Sequence, residues 1–93
     1  MNYVVYILED QIGKTWYIGF TTNLQKRIKA HAAKQSSYTS KKSSWKLIYG
    51  ELYLNKHDAL GREKFLKSGA GHRFLRKQLR NYFSRDRNDT QLL

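Results

Sequence analysis

Cysteine is absent from the chain, and with it any disulfide frame, thiolate metal centre or thiol nucleophile. Proline is absent too, so no helical stretch is interrupted. No apolar run approaches the ~20 residues of a membrane-spanning helix, and no leader pattern opens the sequence. Met1 and Asn2 run straight into strand-like residues, so a soluble protein of the cytoplasm, with no membrane partner, is expected. A glycine-rich phosphate loop is missing, because Gly69 and Gly71 bracket a helix junction rather than follow a strand. Neither a serine elbow nor a pair of histidines at zinc spacing is present. An enzyme made from this chain must work with Tyr, Arg, His and Glu.

Acidic residues are scarce. Seven Asp and Glu stand against eighteen Lys and Arg, leaving +11 on 93 residues. With aromatics interleaved among the cations, that surplus favours a polyanionic partner, nucleic acid ahead of an acidic membrane surface. A hydrophobic fraction of 40% suffices for a folded domain. A chain this short buries about 60–65% of the surface its unfolded form exposes.

Residues 3–8 (YVVYIL) are apolar on both faces, as an interior strand requires. Residues 9–15 are polar, contain Gly13 and form a hairpin-length loop to a second strand at 16–20, so the two strands should pair antiparallel. Gly19 sits where a neighbouring group needs room. Thr22 is a suitable N-cap for a helix whose apolar stripe is Leu24, Ile28 and Ala32. Residues 35–44 are a polar loop and 45–54 a third strand. Asn55 caps a second helix that ends near Ser68 and Gly69; Gly71 opens a third over 72–83, with Leu75, Leu79 and Tyr82 inward and its cations distributed around it. The order is β-β-α-β-α-α: an α+β fold with a small three-stranded, largely antiparallel sheet flanked by helices. Residues 1–83 form a single domain and 84–93 a polar tail.

Arg27 and His31 lie four residues apart and leave the first helix on one side, at the helix–sheet boundary. Tyr17, on the preceding strand, converges with them, and hairpin pairing brings Tyr6 beside Tyr17. Each residue alone has a plainer reading, the tyrosines as core with a wet hydroxyl and Arg27 as a cation lying along the core edge. Glu63 falls on the inward stripe of the second helix, between Ala59 and Leu60 before it and Leu66 after it. A carboxylate there needs a partner, either an arginine such as Arg27 or a divalent cation.

Together these residues resemble the GIY-YIG nuclease family. Its second motif is present as Tyr17-Ile18-Gly19, and its first, in altered form, as Val4-Val5-Tyr6. Asn23-Leu24 leads to Arg27 at the place of the family's catalytic arginine, His31 falls where many members have a histidine, and Glu63 stands at the place of the single metal-binding glutamate. The resemblance covers residues 3 to about 80. It is nearest to small single-domain members similar to the N-terminal nuclease domain of excinuclease C. It implies a metal-dependent DNA endonuclease hydrolysing phosphodiester bonds, on structured or damaged DNA as in DNA repair. One Mg²⁺ or Mn²⁺ would be held by Glu63. Arg27 would grip the scissile phosphate, Tyr17 with Tyr6 would activate or position water, and His31 would relay the proton. Gly19 would shape the site. Lys41, Lys42, Arg73, Arg76, Lys77 and Arg80 would hold the DNA backbone without reading its sequence. The family's late asparagine has only candidates by order, Asn81 and Asn88. Two other readings share these residues: a nucleic-acid-binding module with catalysis feeble or lost, and a nuclease to which a partner protein delivers the substrate.

Overall fold

The structure, a computed structural model, describes residues 2–32 and 44–84. Its elements are β1 (Tyr3–Asp10), β2 (Trp16–Thr21), α1 (Leu24–Ala32), β3 (Trp45–Tyr53), α2 (Lys56–Lys67) and α3 (Gly69–Gln78). The sheet order is β2-β1-β3, antiparallel at both pairings. The two-faced apolar pattern of β1 has its cause here: the strand is central, and Val5, Tyr6, Ile7 and Leu8 are all buried. The α+β architecture expected from sequence is the one observed.

β1 runs two residues past the apolar stretch, through Glu9 and Asp10, both buried. Each carboxylate has a local reason to be there. Glu9 accepts from the Trp16 indole at 3.2 Å and from the Gln11 amide at 3.2 Å. Asp10 accepts from the backbone N–H of Ile12 at 3.2 Å and Gly13 at 2.9 Å, closing the hairpin turn. The left-handed residue of that turn is Lys14, at φ 59°, and not Gly13. On β3 the register slips by one between the partners of Ile7 and Leu8, a bulge at Ile48.

The cap of α1 is Asn23, one residue later than expected. Its Oδ1 accepts the Lys26 N–H at 3.0 Å, while Thr21 Oγ1 accepts the Asn23 N–H at 3.0 Å. Asn55 caps α2 as expected, accepting from His57 at 2.8 Å. Ala59 and Leu66 are buried on α2, whereas Leu60 faces outward and is 37% exposed.

The chain packs as two compact units, Met1–Glu63 and Lys64–Leu93. In the second, Ser68 rather than Gly71 starts α3, its hydroxyl accepting the Gly71 N–H at 3.1 Å. Gly71 lies inside the helix and is buried, and any Cβ there would overlap the Phe65 carbonyl and the Leu66 Cα. Glycine is what lets these two stretches of backbone touch. Phe65 and Phe74 pack edge to face at 6.1 Å beside that contact. α3 ends at Gln78 with Leu79 as its cap, earlier than the expected 83, and residues 80–84 continue as a further helical turn. The tail expected over 84–93 lies, after Ser84, outside the described residues, as do Lys41 and Lys42 of the polar loop.

Candidate active site

Tyr6 faces glycine on both sides: Gly19 on β2 and Gly50 on β3 are its cross-strand partners. Only one of them is covered. A Cβ on Gly19 would lie 2.5 Å from the Tyr6 Cζ and hydroxyl, whereas a Cβ on Gly50 would meet nothing closer than 3.9 Å. The phenol therefore lies across Gly19, which points it toward Tyr17 and away from β3. Leu8 pairs with Tyr17, two residues along the same sheet face, and the Tyr6 and Tyr17 rings come within 6.2 Å.

α1 crosses this face and adds Arg27 and His31. The Arg27 Nε–H donates to the Tyr6 hydroxyl at 3.3 Å, and the same hydroxyl lies 3.3 Å from His31 Nε2. The hydroxyl accepts from Arg27 and keeps its own proton to donate; when that proton goes to His31 Nε2, the imidazole is the Nδ1–H tautomer. The His31 ring packs edge-on against Tyr17 at 4.8 Å. Tyr6 and His31 are buried, Tyr17 is half-buried, and Arg27 is exposed. Three depths are thus joined through one phenol oxygen.

The electrostatics follow from this packing. Burial raises the Tyr6 phenol above its ordinary value, against the opposing hydrogen bond from Arg27, and the neighbouring Tyr17 hydroxyl pushes it the same way as burial. Burial, then the Arg27 charge, lowers His31, so the imidazole is neutral at neutral pH. The hydrogen bond to Tyr6 raises Arg27 further above its already high value.

Beside Arg27 a hollow of about 570 Å³ opens at the β2–α1 junction, lined by Thr21, Thr22, Asn23, Lys26, Arg27 and Ala30. No acidic side chain lines it.

Four of the sequence-selected residues, Tyr6, Tyr17, Arg27 and His31, are therefore brought together, with Gly19 beneath them. Glu63 comes from α2, where its side chain is half-buried. Among the described residues, no three or more His, Cys, Asp and Glu side chains are grouped to hold a metal ion. A single carboxylate suits a hard cation that keeps most of its ligands as water, so the residues present fit Mg²⁺ or Mn²⁺ better than a closed protein cage. In the second unit, Arg73, Arg76, Lys77 and Arg80 are all exposed. Arg73, Arg76 and Lys77, at spacings of three and one, lie toward one side of α3, and Arg80 follows the helix end at Leu79. Asn81 is exposed, and Asn88 is outside the described residues.

One further cluster is not evident from the sequence. Glu51 on β3 accepts from Tyr49 at 2.6 Å, Tyr53 at 2.7 Å, and Arg62 through Nε at 2.9 Å and a terminal nitrogen at 3.1 Å. Burial opposes the Glu51 charge, but these donors outweigh it and hold the carboxyl below its usual range. Tyr49 is pushed up to about 12 by burial and by that carboxylate. The Tyr-x-Glu-x-Tyr alternation on one strand face is a usable signal. Its fourth member, eleven residues away on another element, is not.

A strand tyrosine over a glycine, bonded to a helix arginine and histidine, defines a class as well as a site. The GIY-YIG catalytic domain model matches residues 2–77, and the chain belongs to that family. The family is one of endonucleases that act on DNA and generally use divalent metal ions. Among particular relatives, UPF0213 protein CPE1444 of Clostridium perfringens is 44% identical over 68 residues, which is 72% of this chain and 71% of that protein. UPF0213 protein YazA of Bacillus subtilis is 29% identical over 91 residues, 97% of this chain and 86% of that one. The solution NMR structure of UPF0213 protein BH0048 from Bacillus halodurans shares the fold with a TM-score of 0.54 at 32% identity, covering 84% of this chain and 85% of its own. No helix among the described residues is long and apolar enough to cross a membrane.

Proposed function

We propose that this protein is a metal-dependent DNA endonuclease that hydrolyses phosphodiester bonds in structured or damaged DNA. The observation that carries the reading is the Tyr6 hydroxyl, held between Arg27 and His31 at 3.3 Å each. Such a hydroxyl links a phosphate-gripping cation to a neutral base.

The work divides by depth. Arg27 has committed Nε to Tyr6, and its remaining donors, exposed at the hollow, grip the scissile phosphate. Tyr17 is half-buried and able to meet solvent, so it positions the attacking water. Tyr6 and His31, both buried, form the inner end of the relay. As the water oxygen bonds to phosphorus, its proton passes through the Tyr17 and Tyr6 hydroxyls to His31 Nε2. The bond from phosphorus to the 3′ oxygen breaks, and that oxygen takes a proton from solvent. Because each tyrosine receives a proton as it gives one up, neither has to persist as a phenolate, which suits a phenol whose burial disfavours charge. Glu63 is the residue that would hold one Mg²⁺ or Mn²⁺, and the bound cation supplies charge relief at the phosphate and leaving oxygen.

The cations Arg73, Arg76, Lys77 and Arg80, with Lys41 and Lys42, serve the DNA backbone. Residues 1–83 act as one domain in the cytoplasm. Incubating the protein with nicked, branched and plain duplexes, with and without Mg²⁺ or Mn²⁺, tests the reading. Cutting that needs metal and disappears in Glu63→Ala and Arg27→Ala supports it. Tight, salt-sensitive binding with no cutting in any metal makes the chain a binding module. Cutting that begins only when cell extract is added makes it a nuclease that depends on a partner protein.

A further inference from the structure

The hollow beside Arg27 has a use of its own. We propose that it is a subsite for the backbone phosphate next to the scissile one, with Lys26 as its cation and Ala30 as the small residue that keeps it open. The proposal rests on the nuclease reading for the identity of the neighbouring phosphate.

Its lining is selective by chemistry. The six residues present two cations, two hydroxyls, an amide and one methyl, with no carboxylate among them. Two of the local backbone donors are already taken, the Lys26 N–H by Asn23 Oδ1 and the Asn23 N–H by Thr21 Oγ1. The cationic donors at the hollow are Lys26, whose side chain is exposed and has no ion pair among the described residues, and the terminal nitrogens of Arg27. Arg27 turns toward Tyr6 through Nε, so its charge is shared with the catalytic group. Lys26 is the next residue, about 100° around the helix, and cannot serve the same phosphate from the same side. It does line the same hollow. Ala30 is one helical turn on from both, and a longer side chain there projects into the space they border. A volume of about 570 Å³ is ample for a nucleotide's sugar and phosphate.

The test separates charge from shape. Binding of a short nicked duplex is measured without divalent metal over a range of salt for the wild type, Lys26→Ala, Lys26→Gln, Ala30→Leu and Lys29→Ala. Lys29 is exposed on α1 but does not line the hollow. Thermal unfolding of each variant establishes that it is folded. Both Lys26 variants should weaken binding about tenfold at about 50 mM salt and lower the slope of log K against log salt by about one. Ala30→Leu should weaken binding with the slope unchanged, and Lys29→Ala should have the smaller effect of a distant charge. In cleavage, Lys26→Ala should raise KM while kcat holds. Equal losses at Lys26 and Lys29, or wild-type binding by a folded Ala30→Leu, overturns the subsite. If the binding pattern appears but the wild type cuts nothing, the phosphate subsite stands and the nuclease reading fails.

Discussion

Gly19→Ala is the substitution on which backbone and packing arguments disagree in sign. Gly19 has an ordinary negative φ on a strand, where replacing glycine by alanine normally stabilises by about 0.4–1 kcal/mol through the unfolded chain. Here the new Cβ would sit 2.5 Å from the Tyr6 Cζ and hydroxyl and 2.9 Å from Cε1. An ordinary carbon contact is about 3.5–4.0 Å, so the tip of the ring has to retreat by roughly 1 Å. Tyr6 is completely buried, so the ring moves only by displacing the groups packed around it and breaking its own hydrogen bonds. Movement of that size stretches both 3.3 Å hydrogen bonds beyond use. Overpacking of about 1–3 kcal/mol and two hydrogen bonds at about 1 kcal/mol each outweigh the backbone gain. A net loss of roughly 2–4 kcal/mol in urea unfolding is expected, with cleavage falling on the order of 100-fold as the site is misplaced. The control is the same change in a Tyr6→Ala background, where the clash is gone and Gly19→Ala should be neutral or slightly stabilising. A Gly19→Ala protein as stable as wild type, or one that loses as much without the tyrosine ring as with it, refutes the reasoning.

The remaining expectations use other parts of the molecule. His31 has a lowered pKa in the folded state, so the unfolded chain binds more protons as pH falls below the ordinary histidine value of about 6.5. The stability His31 contributes is present above that value and is lost as pH falls through it toward the folded pKa, so acid titrations of unfolding should show a drop below about 6.5 that His31→Phe lacks. Arg62→Ala leaves Glu51 with its two tyrosine donors but without its cation; the pair is only partly exposed, at 27% and 16%, and a loss of about 1–3 kcal/mol in denaturant unfolding is expected. Gly71→Ala should cost about 3 kcal/mol or more, beyond Gly19→Ala, because its Cβ meets backbone rather than the end of a side chain. Each single Ala replacement of Arg73, Arg76, Lys77 or Arg80 should lower the salt slope of DNA binding by about one, whatever the DNA sequence.

The sheet is readable from sequence because β1 is apolar on both faces and so has to be central. The Tyr17, Arg27 and His31 convergence is readable because strand and helix periods alone put them on one side. Other details stay hidden for physical reasons. The end of β1 depends on Glu9 and Asp10 finding local donors, which makes two buried acids tolerable at a hairpin. The α1 cap falls to Asn23 because Thr21 takes the Asn23 N–H and turns it into position; both Thr22 and Asn23 are acceptable caps in isolation. The glycine at 71 reads as a helix breaker in one dimension and is a close-packing residue in three. Glu51 does not stand out because its arginine comes from a different element.

The central claim is that Tyr6, Tyr17, Arg27 and His31 work as one unit on a phosphodiester. Groups that act together lose function together, so their deletions do not multiply. Single-turnover cleavage of a nicked duplex by Tyr6→Phe, Arg27→Ala and the double variant measures this directly. The expected result is a double variant no slower than the worse single one, with both singles slower than wild type by about 100-fold or more. Losses that multiply in the double variant, or an Arg27→Ala protein that cuts at the wild-type rate, contradict it.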